Sequence, residues 1–530
     1  MADPEHEGSV RSSASSCELK EAEAQLMVQA VQTVAAFMSA MEVARPEVLR
    51  ATSAYHAFDS WAVALRGNGE GDFFAKSREV KKIQEFWSHS WHSSAWAKYL
   101  TLLVLNNGVA AICAGNVFAL LGIVFFHLHV LPGFDRFWEA SHGNCTVWSS
   151  ALGAAGTILT LVAWRSRKEV FLDRICISTT REDMKTEAIC SLAGILDKSE
   201  SMLVLWDASF AERLWCVFEI AAFLKSKEKR ERPLVVCPTL AGPVSLAFFA
   251  MITMAFLPIL VLPIHMEGVL LGNWFPYTWH IAGFATTGVA GAYACCHVLR
   301  GFYRSIEVMQ TQLLSLQVSK LKCSCCSTGQ CVSSGGRDIC DRQVISECIA
   351  TWFGSTEDFA EYIRSEVVDV ITTQLERNAF SDAWGVAVLC PAQWAIFDLI
   401  QYDVRRPRPH WDMFMLFLCT GLTVLLVVPL LTSWSKFLAY RLRHESSSRC
   451  GEVLLNLLMI LLASPVVVFA LASFAIAVFI PVWPLKPVAV LAFLLPGCAL
   501  MCLLRRCGNG YLSQFIKQRR LVSILNRHSL

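Results

Sequence analysis

The chain has 530 residues, enough for several domains, and is 54% hydrophobic but only 17% charged, whereas soluble chains run nearer a quarter charged. Its formal net charge of +2 supplies no basic field for a phosphate backbone, so a nucleic-acid partner is not expected. The 21 cysteines fall partly in apolar windows, where a thiol acts as a small hydrophobe. Others fall in polar segments expected on a cytoplasmic side, where disulfides are uncommon.

The opening Met1-Ala2-Asp3-Pro4-Glu5-His6-Glu7 is acidic rather than basic and then apolar, so it does not read as a secretory signal. Residues 1–16 are Ser-rich and expected to be disordered. Residues 17–82 are expected to be a helical cytoplasmic region: Leu26, Val28, Val31, Val34, Phe37, Met38 and Met41 recur at helical spacing before Pro46. Residues 66–72 read as a Gly-rich loop. Ile83 to Trp91 reads as a short strand running into a loop.

Eight windows then look like membrane spans, over 100–126, 146–164, 244–263, 279–299, 383–400, 413–435, 453–480 and 487–504. The first two form an inserted hairpin within 100–164, and the next pair lies within 241–299. The fifth contains Pro391 and could be re-entrant. With both termini cytoplasmic, only Arg136, Arg405, Arg406, Arg408 and Lys486 of the 46 Lys and Arg fall outside, as the positive-inside rule asks. Asn144-Cys145-Thr146 is a glycosylation sequon in the first outer loop, and 505–530 is a basic tail. The expected fold class is therefore a multi-pass α-helical membrane protein of about eight spans with a cytoplasmic α/β flavodoxin-like domain. The lipid bilayer is its first partner.

Two polar stretches interrupt the spans. Residues 169–239 alternate strand (Val170–Ile177), helix (183–196), strand (Met202–Trp206), helix (Arg213–Leu224) and strand (Pro233–Cys237), which implies a parallel sheet with helices on its faces. Residues 300–382 look helical around a Cys-rich turn, Cys323, Cys325, Cys326 and Cys331. That spacing lacks the paired C-x2-C knuckles of common zinc sites. Palmitoylation near a membrane is an equal candidate, and an unmodified turn with no metal is the expectation.

Several residues of the first stretch carry a family pattern. Phe171-Leu172-Asp173 sits on a strand, a helix ends at Ser199, and Met202 to Trp206 is a hydrophobic strand. Ser209-Phe210 follows, and then Trp215-Cys216-Val217-Phe218-Glu219-Ile220. This resembles the TIR domain family, with Glu85-Phe86-Trp87-Ser88-His89 similar to its first strand. The chain departs from that family by inserting two spans after the first strand, so the TIR-like unit would be split over 83–99 and 165–240. The same layout is similar to multi-pass TIR-like proteins of single-celled algae.

The resemblance implies self-association or docking with other TIR-like domains, and signalling. In enzymatic members the matching Glu cleaves the nicotinamide–ribose bond of NAD, so Glu219 is the candidate catalytic residue and NAD a substrate rather than a cofactor; no cofactor is expected. Loss of nicotinamide leaves positive charge on the ribose, which a carboxylate can stabilise. Ser88, Asp173, Trp206 and Trp215 are the candidate substrate-binding residues.

Each has a plainer reading. Glu219, alone among apolar residues from Leu214 to Leu224, would pair if buried, with Arg174 or Arg213. Trp215 and Cys216 would be core packing, Asp173 a turn residue, and His89 and His92 solvated. The alternative function is a channel or transporter with a regulatory α/β module. No span carries Asp, Glu, Lys or Arg in its middle, where ion-coupled transporters usually place them.

Overall fold

The computed structural model describes residues 22, 25–59, 63–66, 71–135, 144–227, 232–261, 278–331, 339–378, 382–404, 430–479 and 499. They divide into two compact units. The first joins Met1–Ser93, Arg167–Cys237 and Val308–Ile371, and the second joins Ser94–Ser166, Pro238–Glu307 and Thr372–Leu530.

The first unit is built on one six-stranded mixed sheet. Its strands are β1 (Arg50–Ser53), β2 (Arg78–Glu79), β3 (Glu85–His89), β4 (Glu169–Phe171), β5 (Met202–Trp206) and β6 (Leu234–Pro238). Their spatial order is β2-β1-β4-β3-β5-β6. β3 pairs in parallel with β4 (Glu85 opposite Val170, Phe86 opposite Phe171) and with β5 (Phe86 opposite Met202, Ser88 opposite Val204). Chain separated by the whole stretch between His89 and Glu169 therefore shares one sheet.

Both central strands are buried along their full length. This is why β5 reads Met-Leu-Val-Leu-Trp without alternation: a strand covered on both faces needs apolar side chains at every position. Phe86 stacks on Phe171 at 4.8 Å and 11° between rings. The one carboxylate of β3, Glu85, is buried but satisfied. It accepts from Trp87 Nε1 at 2.7 Å and pairs with Lys168 Nζ at 2.8 Å.

Two departures from the expected parallel α/β domain stand out. The segment 46–82, expected within a helical region, supplies β1 and β2, which run antiparallel to each other and, for β1, to β4. The strand expected over Val170–Ile177 stops at Phe171, and Asp173–Cys176 forms a helical turn instead. Asp173 Oδ1 accepts from the Arg174 backbone N at 2.7 Å, which draws the chain out of the extended form.

The second unit is helical. Ala95–His127 packs antiparallel on Trp148–Ala163 through small residues. A Cβ at Gly122 would lie 2.8 Å from the Trp148 carbonyl oxygen, and one at Gly156 would lie 2.7 Å from the Phe118 ring. Close backbone approach through glycine is the usual device where two apolar helices meet. Asn107, fully buried, donates to the carbonyls of Leu161 at 2.9 Å and Trp164 at 3.1 Å, satisfying acceptors that the helix end leaves open. Elsewhere in this unit, buried Arg300 donates to Glu452 Oε2 at 3.0 Å, Asn456 Oδ1 at 2.8 Å and the His444 carbonyl at 3.0 Å.

The expectation of about eight spans is corrected. Among the described residues two helices are long and apolar enough to cross a membrane, Ala95–His127 and Arg449–Val466. Trp148–Ala163 and Ala241–Phe256 are shorter apolar helices. At 16 residues and a rise of about 1.5 Å each, the former falls short of the roughly 30 Å of a bilayer core. The window at 279–299 is part of a longer helix, Thr278–Leu314, whose later turns carry Arg300, Arg304 and Glu307. The window at 383–400 is broken into Asp382–Val388 and Cys390–Val404. There Asp398 accepts from the backbone N of Ser149 at 3.0 Å and of Ser150 at 2.9 Å.

Most of 413–435, nearly all of 487–504, the expected disorder of 1–16 and the tail 505–530 lie outside the described residues. Hydropathy windows register missing charge, whereas spanning also requires an unbroken helix of sufficient length, which the Trp148–Ala163 helix and the divided 383–400 window do not supply.

The two long helices are mostly exposed. Only 28% and 17% of their apolar windows are buried. Val109, Leu120, Leu454 and Leu461 are all more than half exposed. Continuous apolar surface on this scale needs cover, and a membrane-associated chain obtains it from lipid. The protein should accordingly stay with the membrane fraction after alkaline carbonate washing and leave it only in detergent. Release by carbonate alone would contradict membrane association. For the split sheet, Phe86→Ala is expected to cost about 3–5 kcal/mol, read as a lowered melting temperature together with faster proteolysis between β4 and β5.

Candidate functional site

In parallel strands that leave opposite ways from a shared neighbour, ligands bind beyond the carboxyl ends, where strand order reverses. Here β3 is that neighbour, with the next strand in sequence, β4, on one side and β5 on the other. The residues that gather beyond these ends are Ser88 and Ser90 from β3 and its exit, Asp173 after β4, and Asp207 and Ser209 after β5. The Leu214–Lys227 helix then brings Glu219 to the same edge.

Ser88 Oγ donates to Glu219 Oε2 in a short hydrogen bond. Glu219 remains half-buried, and protein surrounds its carboxyl. Burial pushes its pKa up from 4.5 to about 8. The Ser88 hydrogen bond and the Arg213 charge oppose that rise, while the Asp173 charge adds to it. Desolvation at the strand-end edge is the leading cause of that rise, a perturbation shared by functional sites and by buried structural networks.

Around it the polar groups are organised. Asp173 Oδ2 accepts from Trp91 Nε1 at 2.9 Å. Ser209 Oγ donates to Asp207 Oδ2 at 2.8 Å and lies 2.7 Å from Ser90 Oγ. Arg213 Nη1 bonds His92 Nδ1, so Arg213 acts on Glu219 through its charge. Cys216 Sγ faces the His89 carbonyl at 3.7 Å. Burial first, and then the Glu219 charge, raises that thiol well above its ordinary value, which leaves it a packing residue and not a nucleophile.

Of the five sequence candidates, Ser88 and Glu219 are in direct contact and Asp173 joins them electrostatically. Trp206 lies elsewhere in function: it is 2% exposed, packs against Phe210 at 5.0 Å, and its indole N–H has no hydrogen-bond partner among the described residues. Trp215 is half-buried and donates its N–H to Asp341 Oδ2 at 3.0 Å, which ties the Glu219 helix to the 308–371 segment. Sequence reasoning missed Trp91, Ser90, Asp207 and Asp341. Trp91 and Ser90 adjoin the strand motif and could have been found there. Asp341 lies 126 residues from Trp215 in sequence and gave no signal.

No family model, no curated protein and no solved structure matches the chain. The site therefore stands on its geometry.

The raised pKa has a consequence for stability. The folded chain keeps on Glu219 a proton that the unfolded chain releases near 4.5. The stability from this group is complete below about pH 4.5 and is lost as pH rises through about 8. The melting temperature of the wild type should fall over that window relative to Glu219→Gln, which has no proton to lose. Identical pH slopes in the two proteins would show that the carboxyl titrates normally.

Proposed function

We propose that this is a membrane-associated, TIR-like signalling protein whose α/β unit binds NAD and cleaves its nicotinamide–ribose bond, with Glu219 as the catalytic carboxylate. The observation that carries this reading is the desolvated Glu219 carboxyl, hydrogen-bonded by Ser88 at the carboxyl edge of β3, β4 and β5. In the reaction the ribose C1′–N bond breaks and its electron pair leaves with the nicotinamide nitrogen. Water then adds to C1′ and releases a proton, giving ADP-ribose and nicotinamide.

The intermediate stage carries positive charge on the sugar, and ionised Glu219 would lie against it, as a carboxylate does in glycosidases. The pyridinium of NAD is itself cationic. Its arrival beside Glu219 favours the ionised form, so substrate would help to prepare the catalyst. Ser88 would orient the carboxylate, and Asp173, held by Trp91, would add to the negative field that draws the cation in.

Docking with other TIR-like domains, including a second copy, would carry the signal onward. The sequence pattern from Trp215 to Ile220 supports this. The strands that flank the inserted Ala95–Ala163 segment, β3 and β4, pair in one sheet, so the segment leaves and re-enters the same α/β unit.

Conduction has less support. The cavity of about 350 Å³ in the helical unit is lined by Phe248, Met251, Val289, Leu299, Trp384 and Met459 among others. The walls are mainly apolar, with Lys436, Ser435 and Thr432 also lining the cavity, which suits an acyl chain better than an ion path.

The test is NAD consumption by the purified chain in nanodiscs. Glu219→Ala and Glu219→Gln should lose about 100-fold or more in turnover. Wild-type kcat/KM should rise with pH and level off above about 8, as Glu219 of the free protein ionises, while kcat should level off at lower pH. Equal background turnover in wild type and Glu219→Ala would remove the hydrolase reading.

A further inference from the structure

The Cys-rich turn of the first unit gathers sulfur in a way its spacing does not reveal. Cys325 and Cys326 lie on the short helix Ser324–Ser327. The chain then reverses at Gly329, whose φ of +72° is one that glycine adopts readily, and returns Cys331 to them. Cys340, at the N-terminal end of the Asp341–Phe353 helix, completes the group. The four Sγ atoms lie within 4.8 Å of one another. Cys326 is 4.0 Å from Cys325, 3.6 Å from Cys331 and 3.6 Å from Cys340.

Those separations discriminate between chemistries. A disulfide requires sulfurs about 2.05 Å apart, and none of these cysteines is in one. A tetrahedral zinc thiolate has Zn–S bonds of about 2.3 Å, which places its sulfurs roughly 3.8 Å apart. Acylation requires thiols that reach out of the fold, but Cys331 and Cys340 are 0% and 1% exposed. Arg342, which bonds Cys326 and donates to the Leu321 carbonyl at 2.6 Å, supplies a cation beside what would be an anionic centre, as outer-shell groups of metal sites commonly do.

We infer that Cys325, Cys326, Cys331 and Cys340 bind one structural zinc ion as a closed four-thiolate site. Its place in the fold gives it a task. Lys322, three residues before Cys325, donates its backbone N to Glu212 O at 2.6 Å and accepts from Leu214 N at 3.1 Å. Asp341, next to Cys340, holds Trp215. Both contacts grip the first turn of the helix that carries Glu219. Zinc would thus clamp two distant pieces of the 308–371 segment around that helix start, fixing Glu219 at the strand edge whatever ligand the edge receives. Cys323 lies 3.1 Å from Cys325 and stands beside the four, outside the set.

The test is metal analysis of the full chain purified in detergent without added metal. About one zinc per chain is expected, falling several-fold in Cys331→Ser and Cys340→Ser and staying unchanged in Cys190→Ser. Where the variants fail to fold, the wild type suffices. Maleimide labelling followed by peptide mass spectrometry should find the four thiols protected until a chelator is added, and chelation should lower the melting temperature. Less than about 0.1 zinc per wild-type chain, iron in place of zinc, or labelling of the four thiols unaffected by chelator would each overturn the assignment. None of these readouts depends on NAD turnover.

Discussion

The hydrogen-bonded ladder between β3 and its two parallel neighbours is the constraint on which the first unit depends. Parallel pairing fixes which ends of the strands lie together, and so brings Ser88, Asp173 and Asp207 to one edge although the chain between the first two is long. Pairing in a one-residue-shifted register would turn every side chain of β3 to the opposite face. Ser88 would then point away from the helix that carries Glu219. The burial of β3 and β5 on both faces, with Phe86 stacked on Phe171, holds the register against such a slip.

Glu219 shows what that ladder makes available. A carboxyl in this surrounding cannot keep its charge cheaply, and its proton is retained to a pH far above the ordinary range. A fold optimised only for stability would place an apolar residue there, since isolated buried charge is among the more expensive features a protein can carry. Ser88 satisfies part of the group's hydrogen-bonding capacity without neutralising it. Arg213, the nearest candidate for a structural partner, is instead engaged with His92. The arrangement leaves a carboxyl that a cationic ligand could ionise by its own arrival, which is the property that separates a site from a salt bridge.

The segment 308–371 holds the helix that carries Glu219. It grips the Leu214–Lys227 helix at its first turn through the Lys322 backbone and the Asp341 carboxylate. Contacts at two points of the helix start oppose its rotation, which would separate Glu219 from Ser88. A metal-bound knuckle performs such fixing with few residues, because metal–thiolate bonds set both distance and angle. The helical unit meets a different demand. Its close packing at Gly122 and Gly156 and its buried Asn107 satisfy the interior, while its two long helices keep most of their apolar windows exposed.

Much was legible from the residues alone. The uncharged run of Met202 to Trp206 identified a doubly covered strand, and a solitary Glu219 on an apolar helix drew attention because burying charge is costly. The shortage of charge elsewhere pointed to a membrane. Those signals are local: each is carried by neighbouring residues along the chain. The number of spanning helices was only partly local: Pro391 marks the break near Leu389, whereas the end of the Trp148–Ala163 helix at 16 residues is not registered by hydropathy. Nor were the antiparallel strands β1 and β2 local, since β1 pairs with the edge of β4 and β2 with β1. The contact of Ser88 with Glu219, the hold of Asp341 on Trp215 and the entry of Cys340 into the sulfur cluster were decided by tertiary structure, since side chains far apart in sequence meet only when backbone pairing and core burial bring their elements together.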